Sequence, residues 1–122
     1  MSKFKIAAAL FTIFIIWVIF TADVGAFPPI IRYVYYYPGG DKAGHFILYG
    51  ILAFLLALAF RQRTGWKWLP LARVTIILLI LVALEEYSQS FFPSRTASLL
   101  DLIFSFLGIA LGDFLAGRVR KT

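Results

Sequence analysis

The stretch Val74-Thr75-Ile76-Ile77-Leu78-Leu79-Ile80-Leu81-Val82-Ala83-Leu84-Glu85-Glu86-Tyr87-Ser88-Gln89 decides the fold. Its charge-free part, Val74 to Leu84, covers about 17 Å at 1.5 Å per residue, against roughly 30 Å of bilayer hydrocarbon. A helix entering near Leu69-Pro70, where proline suits a first turn, and running to the stop at Pro93 is long enough to span. That helix, over about 69–92, carries Glu85, Glu86 and Gln89 on its last turns, at or just inside the membrane boundary. Ionisable groups at such depth are expensive and are a functional-site hypothesis by default.

Three further apolar runs flank it, giving helices over about 6–22, 43–60 and 98–116. The first, Ile6 to Ala22, follows Lys3 and Lys5 and has Trp17 and Phe20 for its far interface. A signal peptide is the competing reading, since Val24-Gly25-Ala26 resembles a small-residue cleavage site, but the run exceeds a usual h-region and a retained helix is favoured. The second closes at Arg61-Gln62-Arg63. The last has Ser98 as a plausible N-cap and Asp101 in its first turn, where an acid suits the helix dipole.

Composition agrees with a membrane domain. The chain has 122 residues, 61% of them hydrophobic, a mean hydropathy of +0.88 and only 15% charged residues, too much apolar surface for a soluble fold of this size to hide. One domain over residues 1–122 is expected. With no cysteine, disulfides, thiolate metal sites and cysteine nucleophiles are excluded, and the redox compartment stays open. The net charge of +6 does not point to nucleic acid, because the basic residues fall in short groups between apolar runs.

Those groups orient the chain. Lys3 and Lys5, four cations from Arg61 to Arg73, and three from Arg118 to Lys121 fall on one side; Arg32, Lys42 and Arg95 fall on the other. The positive-inside bias predicts a four-helix, all-α transmembrane bundle with both termini cytoplasmic. The segment 27–40, with Pro28, Pro29, Pro38, Tyr33 and Tyr35 to Tyr37, then reads as an outer loop whose aromatics form an interfacial belt.

In this topology the remaining polar residues meet on the outer side. Asp41, His45 and Tyr49 stand four apart on one helix face, with Lys42 beside them. Glu85, Glu86 and Gln89 span about 100° of the third helix, and Arg95 and Asp101 follow. The polar site is therefore predicted as Asp41, Lys42, His45, Tyr49, Glu85, Glu86, Gln89, Arg95 and Asp101, with His45 and Glu86 the catalytic candidates if the site is catalytic. The alternative is structural: Lys42 and Arg95 neutralise carboxylates and His45 ties helices together. Gly108 and Gly112, in a stripe with Asp101 and Ser105, are predicted to pack helices closely, within the chain or between chains.

No cofactor and no metal is predicted. A single histidine rules out a zinc site built mainly from imidazole, and although Asp41, Glu85, Glu86 and Asp101 offer oxygens to a hard cation, nothing in their spacing demands one. Phosphate loops, nucleophile elbows and paired-histidine zinc motifs are missing, so enzymatic activity stays undecided.

The order Asp41-Lys42-x-x-His45-Phe46-x-x-Tyr49-Gly50, then Glu85-Glu86-x-x-Gln89, then Phe92-Pro93-x-Arg95 and Asp101 with Gly108, resembles the VanZ-like family over most of the chain. The resemblance implies a small multi-pass protein of the bacterial inner membrane, in a family named for a member associated with resistance to the glycopeptide teicoplanin. No established reaction comes with it. Two positions depart from the family pattern: Glu85 stands where many members have Asp, and Ser105 replaces a common Asn with a smaller hydroxyl.

Three functions follow as expectations. The first is an envelope protein that sits in the lipid bilayer, binds a lipid headgroup or lipid-linked cell-wall precursor, and so influences glycopeptide susceptibility. The second is a membrane hydrolase or transferase with Glu86 as base and His45 as acid. The third, a proton or ion transporter, is disfavoured because the acids lie at one side. The oligomeric state is not readable.

Overall fold

The computed structural model describes residues 3–23, 25, 29–30, 33, 40–60, 71–91 and 99–120, with Ala22, Asp23, Asp41 and Arg120 described by backbone alone. Among these residues there are four helices and no strand: α1 (Lys3–Asp23), α2 (Gly40–Ala59), α3 (Arg73–Gln89) and α4 (Leu99–Arg120). The helices α1, α2 and α4 are each long and apolar enough to cross a membrane. The chain is a helical membrane protein.

Boundaries differ from expectation in instructive places. α1 takes in Lys3 and Lys5 ahead of Ile6, since lysines are good helix formers whose stems lie along apolar surface while the ammonium reaches out. α3 ends at Gln89, three residues short of 92, where Ser90 and Phe91 close a tight turn onto the Tyr87 and Ser88 carbonyls. Its described 17 residues cover about 26 Å. Positions 69–70 and 92 lie outside the described residues. α4 runs through Gly117 to Arg120, since one glycine in a helix costs only about 1 kcal/mol.

α3 shows why a membrane suits this fold. Its buried residues are Thr75, Leu78, Val82, Glu86 and Gln89, at helical spacing, while Ile77, Ile80, Leu81 and Leu84 face outward. The helix therefore buries a polar side and exposes an apolar one, the reverse of a helix on a soluble domain. The outward faces of α1 and α4 continue the pattern with Ile13, Phe20, Leu107 and Phe114.

α2 and α4 form the most extensive interhelical contact. A Cβ added at Gly108 would collide with the Phe46 carbonyl oxygen, and one at Gly112 with the Gly50 carbonyl oxygen. At Gly50 it would lie 3.1 Å from the Gly108 carbonyl oxygen. The small-residue stripe is thus used inside the chain, backbone against backbone, as glycines in membrane helices permit. Beside it, Ile15, Tyr49, Leu52, Ala53, Leu78, Val82 and Ile109 make the central core. At one end Ala57, Leu58, Ala72 and Ala116 pack with Phe4, so α1 starts where α4 finishes and the helices alternate in direction. The polar residues of interest lie at the opposite end.

Candidate functional site

Each helix of the tight core delivers part of a polar cluster. α2 projects Lys42, His45 and Tyr49, α3 projects Glu85, Glu86 and Gln89, and α4 projects Asp101 and Ser105. Tyr49, Glu86, Gln89, Asp101 and Ser105 are all buried. The close α2–α4 approach at the glycines holds His45 against the first turns of α4.

Hydrogen bonding orients the cluster. His45 Nδ1 lies 2.9 Å from Ser105 Oγ, and the Ser105 hydroxyl stands 2.9 Å from the Asp101 carbonyl oxygen. The Ser105 hydroxyl has one proton, which goes either to that carbonyl or to Nδ1, and His45 donates through Nδ1 only in the first case. The Tyr49 ring stands edge-on to His45, centroids 5.8 Å apart.

A second group adjoins the first. Gln89 Nε2 donates to both Glu85 carboxylate oxygens, at 3.1 and 2.9 Å, and the Tyr49 hydroxyl reaches Glu85 Oε2 at 3.5 Å. The Gln89 carbonyl oxygen is fully buried with no hydrogen-bond partner among the described residues. Lys42 Nζ stands 3.4 Å from Asp101 Oδ1, pairing a lysine that is 32% exposed with an aspartate that is 2% exposed.

Among the described residues His45, Glu86 and Asp101 converge: a ring nitrogen and one oxygen from each carboxylate lie within 4.8 Å of one another. These are the side chains able to hold a cation or to divide acid and base roles. Of the residues expected from sequence, Lys42, His45, Tyr49, Glu85, Glu86, Gln89 and Asp101 come together. Asp41 begins α2 but its side chain is not described, and Arg95 lies outside the described residues.

Two roles escape sequence reading. Ser105, noted as a small residue in a stripe and as standing in for a common Asn of the family, is a partner of His45. Asp113 is absent from the sequence prediction altogether. It is buried near the opposite end, where its Oδ2 accepts the Ala72 N–H at 3.0 Å and the Thr75 hydroxyl at 2.6 Å. It caps the start of α3 from another helix, where Ala72 offers no side-chain cap. An acid inside an apolar run was the available signal.

A family model described as VanZ/LLP1 matches residues 4–120, nearly the whole chain. No curated protein and no solved structure matches it.

Proposed function

The chain belongs to the VanZ/LLP1 family, and we propose that it works at the His45, Glu86 and Asp101 cluster, which receives the polar head of an amphiphilic envelope molecule. The single observation that carries this reading is the convergence of these three side chains within 4.8 Å at one end of an otherwise apolar exterior. Three helices supply one group each, and polar groups held at membrane depth need a use that offsets their cost. A lipid headgroup or lipid-linked cell-wall precursor has the required form, with its tail in the bilayer beside α3 and its head at the cluster.

The charge distribution supports an orientation in the bacterial cytoplasmic membrane with both termini inside and the cluster toward the outer surface. An effect on glycopeptide susceptibility would then follow from altered access to a precursor at that surface. A second reading makes the same site catalytic. It draws on the proximity of His45 and Glu86, with Glu86 removing a proton from water or an acceptor hydroxyl and His45, as the imidazolium, giving its proton to the leaving oxygen.

Mass spectrometry of amphiphiles co-purifying with the intact chain tests the headgroup reading. Wild-type protein retains a defined headgroup class that Glu86→Gln loses; identical lipid content in both overturns the proposal. Conversion of the retained molecule on incubation distinguishes the enzyme from the binder.

A further inference from the structure

We infer that His45, Glu86 and Asp101 bind one divalent first-row transition cation, zinc or manganese in class; the inference rests on the reading of this cluster as the functional site and deepens it. Three atoms no more than 4.8 Å apart can all be reached from one point at about 2.8 Å, the side divided by √3. Contraction by well under 1 Å per donor brings them to the roughly 2.0–2.2 Å of zinc–nitrogen and zinc–oxygen bonds. Side-chain rotation supplies a movement of that size.

The imidazole is prepared for such a role. Ser105, 2.9 Å from Nδ1, fixes the orientation of the ring, as polar partners do for metal-binding histidines. One nitrogen with two carboxylate oxygens suits zinc or manganese better than calcium or magnesium, which prefer all-oxygen sets. Three protein ligands leave positions open for water or a ligand oxygen.

A further observation points the same way. Gln89, one turn from Glu86 on the same buried side of α3, keeps a fully buried carbonyl oxygen without a hydrogen-bond donor among the described residues. Water held by a cation would supply one. The sign of the site matters for its ligand, because a carboxylate cluster repels a phosphate headgroup and a bound cation attracts it. Lys42, partly exposed on a flexible stem, competes with the ion for Asp101.

The test uses the purified full chain in detergent, stripped with chelator, dialysed and titrated with Co2+ under visible absorption, then competed with Zn2+ and Mn2+. Wild-type protein takes up one Co2+ per chain, displaced by Zn2+. His45→Gln, Glu86→Gln and Asp101→Asn each lower affinity about tenfold or more, and Lys42→Gln raises it several-fold, in samples whose thermal melts show a folded chain. Should Asp101→Asn fail to fold, His45→Gln and Lys42→Gln decide the matter. No saturable uptake by folded wild-type protein, or uptake unchanged in both His45→Gln and Glu86→Gln, overturns the inference. Absence of uptake with amphiphile still lost in Glu86→Gln removes the metal and keeps the headgroup site. Uptake with amphiphile content unchanged in Glu86→Gln supports the metal and removes the headgroup reading.

Discussion

His45 Nδ1 and Ser105 Oγ, 60 residues apart in sequence, are hydrogen-bonded at 2.9 Å and join α2 to α4 inside the polar cluster. The same hydroxyl lies 2.9 Å from the Asp101 carbonyl oxygen, so Ser105 ties the His45 ring to the first turn of α4. Ser105→Ala removes this partner of Nδ1. The expected cost is about 1 kcal/mol of stability, with a change in the 15N shift of His45 Nδ1. An unchanged His45 spectrum in Ser105→Ala would break the link between the two residues.

Glycines in α2 and α4 separate into two classes. Gly108→Ala and Gly112→Ala force a methyl group into the α2 backbone and are expected to cost about 1–3 kcal/mol or more. Gly44→Ala, where nothing lies within 4 Å of the added carbon, is expected to be neutral or stabilising by up to about 1 kcal/mol. Thermal melts of the three variants in one detergent provide the comparison. Equal behaviour of Gly44→Ala and Gly108→Ala would contradict the observed packing.

Asp113 is structural by its partners. Asp113→Ala leaves the Ala72 N–H and the Thr75 hydroxyl without their acceptor and is expected to cost about 2–3 kcal/mol. Thr75→Val removes one of these bonds and costs less, and a double-mutant cycle should show coupling between the pair. The folded fraction of Asp113→Asn should still retain the amphiphile that Glu86→Gln loses. Loss of that amphiphile in folded Asp113→Asn would place Asp113 in the functional machinery instead.

Orientation can be read by cysteine labelling, which the natural lack of cysteine makes clean. In intact cells an impermeant maleimide should label Tyr33→Cys and spare Ser2→Cys and Thr122→Cys until the membrane is opened. The reverse pattern would put the polar cluster at the inner surface and remove the extracellular precursor as its ligand.

Run length and charge placement predict the four helices, and the shortness of Val74 to Leu84 alone carries Glu85, Glu86 and Gln89 to membrane depth. What no spacing encodes is mutual position. His45 and Glu86 are far apart in sequence and Asp101 sits on a third helix, so only the packed bundle brings them within 4.8 Å. Sequence spacing gave no reason to place a metal for the same cause. Gly108 and Gly112 announce close packing, but their partner helix is set by the matching surface of Phe46 and Gly50. Asp113 is hidden because it lies near the cationic end of α4 and passes for a boundary charge; its burial depends on the start of α3, 41 residues earlier.

The most direct measurement is lipid and precursor profiling of a strain lacking the gene, complemented with the intact chain or with Glu86→Gln at matched membrane abundance and melting temperature. The cluster being the functional site, wild-type protein should restore the envelope profile and folded Glu86→Gln should leave it as in the deletion. Full restoration by Glu86→Gln would contradict that role for the cluster.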